Sequence, residues 1–196
     1  MTDYDAYVLR ENTGTTGLVI TARTAADILT RFETPHLIAG GLAVQEHGYP
    51  RVTIDVDIIV PDVLDAVESL IAPLDTPFVR DQVWHNRVRD KRNGVDVDLL
   101  PGGEVLRPEC EVPFPTPKAV SDIPCFVSLA ELISLKLDSA THAPLRRLKD
   151  KADVVELITR RSLPRDLPVA KPVLKFYHEI WDGLQKEPPL NSRFRG

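Results

Sequence analysis

Twice in this chain a run of apolar residues is interrupted by aspartate at every second position. Val52-Thr53-Ile54-Asp55-Val56-Asp57-Ile58-Ile59-Val60 and Val95-Asp96-Val97-Asp98-Leu99-Leu100 both carry the period of a β-strand. In the first, Val52, Ile54, Val56 and Ile58 share one face, and Thr53, Asp55 and Asp57 share the other. Two carboxylates that close on one strand face repel, and burying them without compensation costs several kcal/mol. A cation resolves the conflict, and for hard oxygen donors a divalent ion such as Mg²⁺ is the natural choice. A solvated strand face reads the same way, so the pattern alone leaves both explanations standing.

The surrounding sequence narrows this. Ala25, Ile28, Leu29 and Phe32 recur at helical spacing over Thr24 to Phe32, and Thr34-Pro35 ends that helix. His36 to Ala39 reads as a short strand leading into Gly40-Gly41, after which Leu42 to His47 is helical and Gly48 supplies a stop. The glycine pair suits either a tight turn or a phosphate cradle of unhindered backbone N–H groups. Pro61-Asp62 opens a helix with Val63, Leu64, Val67, Leu70 and Ile71 on its apolar side. Val83 to Arg89 alternates as a strand, and Asn93-Gly94 turns it into the second acidic strand. Five prolines between 107 and 124 forbid a helix and predict an extended connector with an edge strand. Ser128-Leu129-Ala130-Glu131 is a capping box that starts a helix over Leu129 to Ala140, followed by helices from Pro144 to Arg160 and Pro172 to Gln185. The order predicts an α+β fold, a mixed sheet with flanking helices, plus a C-terminal helical lobe. The expected divisions are a lead-in over 1–22, an α/β core over 23–125, a helical lobe over 126–187 and a mobile polar tail over 188–196.

Charge supports an anionic ligand only weakly. The net charge is −5, yet residues 1–75 hold 4 basic and 12 acidic side chains, against 20 and 17 in residues 76–196. A carboxylate cluster in front and a basic surface behind suit metal ions with a polyanionic substrate, though composition alone favours a distribution without purpose. No apolar run is long enough to span a bilayer, and the acidic start Met1-Thr2-Asp3-Tyr4-Asp5 is unlike a signal peptide. Cys110 and Cys125 form no zinc spacing and read as reduced thiols. A cytoplasmic protein is the expectation.

The stretch His36-Leu-Ile-Ala-Gly40-Gly41, 13 residues, then Asp55-Val-Asp57-Ile resembles the signature of the polymerase-β-type nucleotidyltransferase superfamily. Gly40-Gly41-x-Ala43-x-x-x-His47-Gly48-x-x-Arg51-x-Thr53-x-Asp55-Val56-Asp57 is similar to its minimal AbiEii-like branch, which includes toxins of type IV toxin–antitoxin pairs. Leu132, Lys136, Lys149-Asp150 and Asp153 are similar to that branch's C-terminal pattern. The resemblance covers roughly residues 24–160. It implies a polymerase-β-like fold and a two-metal transfer of a nucleoside monophosphate from an NTP, with ATP-binding included, to a hydroxyl acceptor. Asp55 and Asp57 would hold the two Mg²⁺ (or Mn²⁺) ions, with Asp98 the third carboxylate and Asp96 its alternative on the same strand face. Gly40 and Gly41 would receive the triphosphate. The resemblance further implies an acceptor such as tRNA, a protein or a small molecule, and an antitoxin partner. Where active toxins of the branch commonly carry serine, this chain has Gly41. A catalytically silent binding or regulatory protein of the same fold is the competing expectation.

Other residues carry paired readings. Arg51 and Thr53 flank the first acidic strand and could meet phosphate, Arg51 as a charged fork or as the partner of an acid. Lys136 would approach the nucleotide, or be a solvated lysine. His47 reads as a helix-end capping or packing residue, with a catalytic role as the sharper alternative. Asp150 and Asp153 read as a solvated charged face, with one of them at the site as the alternative. Arg146-Arg147, Lys149, Lys151 and Arg160-Arg161 read as a solvated helix surface with an RNA backbone site as the sharper alternative. Trp84-His85-Asn86-Arg87 and Phe176-Tyr177 to Trp181 read as packing residues.

Overall fold

The computed structural model describes residues 15–120 and 125–186; residues 1–14 of the expected lead-in and the expected tail over 188–196 lie outside them. In chain order the elements are α1 (Thr15–Arg31), β1 (Leu37–Ile38), α2 (Gly40–Glu46), β2 (Asp55–Val60), α3 (Val63–Ile71), β3 (Phe78–Arg80), β4 (Arg87–Asp90), β5 (Asp96–Pro101), α4 (Leu129–His142), α5 (Leu148–Arg161), a 3₁₀ turn (Lys171–Val173) and α6 (Leu174–Lys186). The α+β class and the C-terminal helices are therefore as expected, as is the order strand, Gly-Gly, helix, Asp-x-Asp strand.

The sheet order is β1-β2-β5-β4-β3. β2 and β5 run parallel with Asp55 opposite Asp96 and Asp57 opposite Asp98, and the other pairs are antiparallel. Asn93-Gly94 makes the β4–β5 turn, with Gly94 at φ +74 and its N–H on the Asp90 carbonyl at 2.8 Å. Alternation along each strand then separates two cores. Val56, Ile58, Val60, Val97, Leu99 and Val88 pack under α1 and α3. Ile59, on the opposite face, packs with Ala43 and Val44 of α2 and with the C-terminal helices through Leu132, Ile133, Leu157 and Tyr177. Asp55 and Asp57 share the face of Ile59. The helical lobe covers that face at Ile59, and the carboxylates occupy the part beyond it.

Several elements differ from the expected bounds, each for a visible reason. α1 begins at Thr15 rather than Thr24, because Leu18 and Ala22 are buried against the sheet and Thr21 donates a 2.7 Å hydrogen bond to Asp90. Phe32, expected on its apolar side, is 47% exposed. β2 starts at Asp55, since β5 offers no partner upstream of Asp96; Val52 and Ile54 are exposed. The strand expected from Val83 is confined to Arg87–Asp90, because Asp81 draws residues 81–86 into a turn. The edge strand expected in the proline-rich connector shrinks to single bridges, Val105 with Pro113 and Ile38 with Phe126. Ser128 and Glu131 form the capping box, and α4 continues to His142. Cys110 and Cys125 form no disulfide. Among the described residues no helix is long and apolar enough to cross a membrane.

Candidate functional site

A cavity of about 550 Å³ lies between the exposed end of the sheet face and the C-terminal helices. Gly40, Gly41, Arg51, Asp55, Asp57, Asp98 and Lys136 line it; Thr53 and Asp96 do not.

Gly40 must be glycine. Its φ is +58, and a Cβ there would fall on Asp57 Oδ2. The Asp57 carboxylate thus lies directly against the backbone at the start of α2, while the Asp57 carbonyl accepts from Ala39 N–H at 2.9 Å. Gly41 is compelled by a different neighbour: a Cβ would overlap Thr53 Oγ1 and stand 2.5 Å from Thr53 Cβ. Thr53 in turn donates to Asp55 Oδ1 at 3.0 Å. A hydroxyl therefore occupies the space beside residue 41, supplied by Thr53 rather than by a serine at 41.

Asp57 is electrostatically crowded. Burial, then the charges of Asp55 and Asp98, push its pKa up to about 7, against the weaker pull of Lys136 and Lys149. Asp98 is gripped by a two-toothed fork, Arg87 Nε to Oδ1 at 2.6 Å and Nη2 to Oδ2 at 2.9 Å. Asp96 pairs likewise with Arg89 at 2.7 and 3.0 Å and lies outside the cavity lining. The hairpin register explains both forks, Arg87 opposite Asp98 and Arg89 opposite Asp96. That register follows from the Asn-Gly turn, so counting back from it was the signal that would have found Arg87 in the sequence.

The donor set fits a hard divalent cation: oxygen ligands of one sign whose burial and mutual repulsion a cation would offset. Asp55 and Asp57 line the cavity. Asp98 reaches such an ion only by sharing or releasing the Arg87 fork, and among the described residues no three acidic, His or Cys side chains close on one ion position as they stand.

The far wall is a buried ionic cluster. Lys136 Nζ lies 3.1 Å from Asp150 Oδ1 and 2.6 Å from Asp153 Oδ2, and Arg51 Nε lies 3.0 Å from Asp153 Oδ1. Arg147 approaches Asp150 at 3.9 Å. The Arg51 and Lys136 contacts to Asp153 are off the hydrogen-bonding axis, leaving Arg51 Nε and Asp153 Oδ2 without an aligned partner. Asp150 and Asp153 are thus buried, not the solvated face expected of them, because their partners come from α4 and from residue 51. Arg51 is paired with an acid, and Lys136 is buried rather than solvated. His47 caps α2 and its Nε2 lies 2.8 Å from the Val127 carbonyl oxygen. Of the aromatic residues expected to pack, Tyr177 is buried and Trp181 donates to the Leu163 carbonyl at 2.9 Å. Trp84 does the opposite: it is 56% exposed and lines the cavity.

No protein-family model matches the chain, and no curated protein matches it. Among solved structures it is similar to the antibiotic-resistance factor ANT(2'')-Ia, a nucleotidyltransferase, at 14% identity and a TM-score of 0.48 over 88% of this chain and 94% of that one.

Proposed function

We propose that the protein is a metal-dependent nucleotidyltransferase that moves a nucleoside monophosphate from an NTP to a hydroxyl acceptor and releases pyrophosphate. The observation that carries this reading is geometric: the carboxylates of Asp55, Asp57 and Asp98 line one cavity, with Asp57 against Gly40, and burial followed by its two acidic neighbours pushes Asp57 up to about 7. A structural carboxylate would gain nothing from such neighbours. Asp55, Asp57 and Asp98 are the residues that would hold divalent ions, which when bound offset charge on the attacking and leaving oxygens of an in-line phosphoryl transfer.

The remaining roles belong to the chain itself. Gly40 and Gly41 line the cavity and would receive the triphosphate at the start of α2, beside the Asp57 carboxylate and the Thr53 side chain that fill their Cβ positions. Lys136 and Arg51 place positive charge at the cavity wall, held in position by Asp150 and Asp153. Asp98 accepts the proton of the acceptor hydroxyl, and Arg87 fixes the plane of its carboxylate. Bond for bond, the acceptor oxygen joins the α-phosphorus as the bond to the β,γ-pyrophosphate breaks.

The finer reading, a toxin of an AbiEii-like pair with an RNA acceptor such as tRNA and an antitoxin partner, rests on the sequence resemblance. A silent binding protein of the same fold is favoured by one observation, the Arg87 fork that occupies Asp98. Incorporation of labelled nucleotide separates the two. The parent should show Mg²⁺-dependent transfer that Asp57→Ala abolishes without loss of thermal stability. Equal incorporation by both proteins would sink the enzyme reading.

A further inference from the structure

The backbone that carries the exposed indole of Trp84 is tied into an ordered turn. Asp81 Oδ1 accepts from the N–H groups of Val83 and Trp84 at 2.8 and 2.9 Å. The turn is closed by Asp81 N–H on the Arg87 carbonyl at 3.0 Å and by Arg87 N–H on the Trp84 carbonyl at 3.2 Å. Asn86 anchors its exit, donating from Nδ2 to the Leu99 carbonyl at 3.2 Å and accepting from Leu99 N–H at 2.8 Å. A ring that is 56% exposed gains no burial from this ordering. Yet Trp84, Asn86 and Arg87 all line the cavity that holds the carboxylates. Asn86 and Arg87 are spent on Leu99 and Asp98, which leaves the planar ring of Trp84 as the group beside the phosphoryl-transfer site that is suited to receive a base.

We propose that Trp84 is the stacking platform for a nucleobase at the mouth of this cavity, and so a specificity-determining residue; the inference rests on the transferase reading above. Two sources could supply the base, the NTP and the terminal nucleotide of a polynucleotide acceptor. The sheet order favours the acceptor. Gly40-Gly41 adjoin β2 through β1, whereas Trp84 precedes β4, on the other side of Asp98. The triphosphate belongs to the first side and the attacking hydroxyl to the second.

Trp84 and Trp181 are the two tryptophans of the chain, so 5-fluorotryptophan labelling provides two ¹⁹F resonances, assigned by Trp84→Phe. Four probes are titrated with Mg²⁺: inorganic tripolyphosphate, ATP, a mixed-sequence oligoribonucleotide of about ten nucleotides with a free 3′-hydroxyl, and the same oligomer with an abasic 3′ end. The oligoribonucleotide should shift the Trp84 resonance and leave Trp181 in place, and its abasic form and tripolyphosphate should move neither resonance. A shift by ATP alone supports the platform and assigns the base to the donor. A Trp84 resonance that no probe moves, or that the abasic oligomer or tripolyphosphate moves as far, overturns the proposal. In transfer assays Trp84→Ala should raise the KM for the base-bearing substrate by roughly 5- to 150-fold, with Trp84→Phe close to the parent. Transfer by Trp84→Ala at unchanged KM would remove the stacking proposal and leave the transferase standing. A base-dependent Trp84 shift in a protein that transfers nothing would do the reverse.

Discussion

Asp57 and Asp90 sit on one sheet, and burial raises the carboxyl pKa of each; their neighbours then drive the two apart. Asp90 receives Thr21 Oγ1 at 2.7 Å, Arg92 N–H at 2.9 Å and Arg92 Nη2 at 2.7 Å. Those hydrogen bonds outweigh its burial and hold its carboxyl below the ordinary range. Asp57 has Asp55 and Asp98 for neighbours, and its carboxyl rises to about 7. The first carboxylate is complete within the fold and ties α1 to the β4–β5 turn. The second is complete only with something added. That difference, more than the Asp-x-Asp spacing, separates a carboxylate that builds the protein from one that the protein was built around.

The sharpest way to break the comparison is to remove each acid in turn. Asp90→Ala removes the buried acceptor that Thr21 and Arg92 share, and should lower unfolding stability by about 3 kcal/mol. Asp57→Asn removes a repulsion and should not destabilise at all. Urea unfolding at neutral pH measures both. A destabilised Asp57→Asn would make Asp57 a structural residue like Asp90.

The pH dependence sharpens the same contrast. The unfolded chain releases the Asp57 proton near 3.8, and the folded chain keeps it until about 7. Stability from this group is therefore full below 3.8 and is lost as pH rises towards 7. By the conversion of about 1.4 kcal/mol per unit the loss is at most about 4 kcal/mol, and less for a carboxyl that faces an open cavity. Asp57→Asn should flatten the fall in stability between pH 4 and 7. Asp90 acts in the opposite sense, contributing above the unfolded carboxylate range and losing that contribution as pH falls through its depressed folded value.

What the sequence disclosed and what it hid divide along the same line. Local chemistry was legible: the alternation of Asp55, Asp57, Asp96 and Asp98, the Asn93-Gly94 turn and the Ser128–Glu131 box each act within a few residues. Long-range pairing was not. Asp150 and Asp153 look like a helix's charged face until Lys136 and Arg51 are brought to them from 14 to 102 residues away. The N-terminal half of α1 has a poor helical sequence of threonines and glycine. It is held by Thr21 on Asp90, which no local pattern announces. Trp84 was misread because a buried and an exposed tryptophan look alike in a strand pattern.

A divalent ion should reach one of the two carboxylates only. Mg²⁺ at a hundredfold its dissociation constant would raise stability by about 2.7 kcal/mol if it binds the folded chain alone. The increase should appear in the parent and in Asp90→Ala, and vanish in Asp57→Asn. It should also be larger at pH 8 than at pH 6, because the Asp57 proton must leave before the ion is held. Thermal unfolding with and without chelator reads this, and an Mg²⁺ effect that survives Asp57→Asn would place the ion elsewhere.

The smallest expected effect concerns the wall beside the first acid pair. Gly41→Ser places a Cβ on Thr53, a β-branched residue with little rotamer freedom, whose hydroxyl also serves Asp55. Overpacking of this kind costs about 1–3 kcal/mol. Thr53→Gly alone opens a void and removes the hydrogen bond to Asp55, so each single change should destabilise. The double variant fits a serine into the space the threonine left, and its loss should fall short of the sum of the two by about 1 kcal/mol or more. Additive losses in a double-mutant cycle would mean that residues 41 and 53 do not compete for one position. The glycine would then need another explanation than its neighbour's side chain.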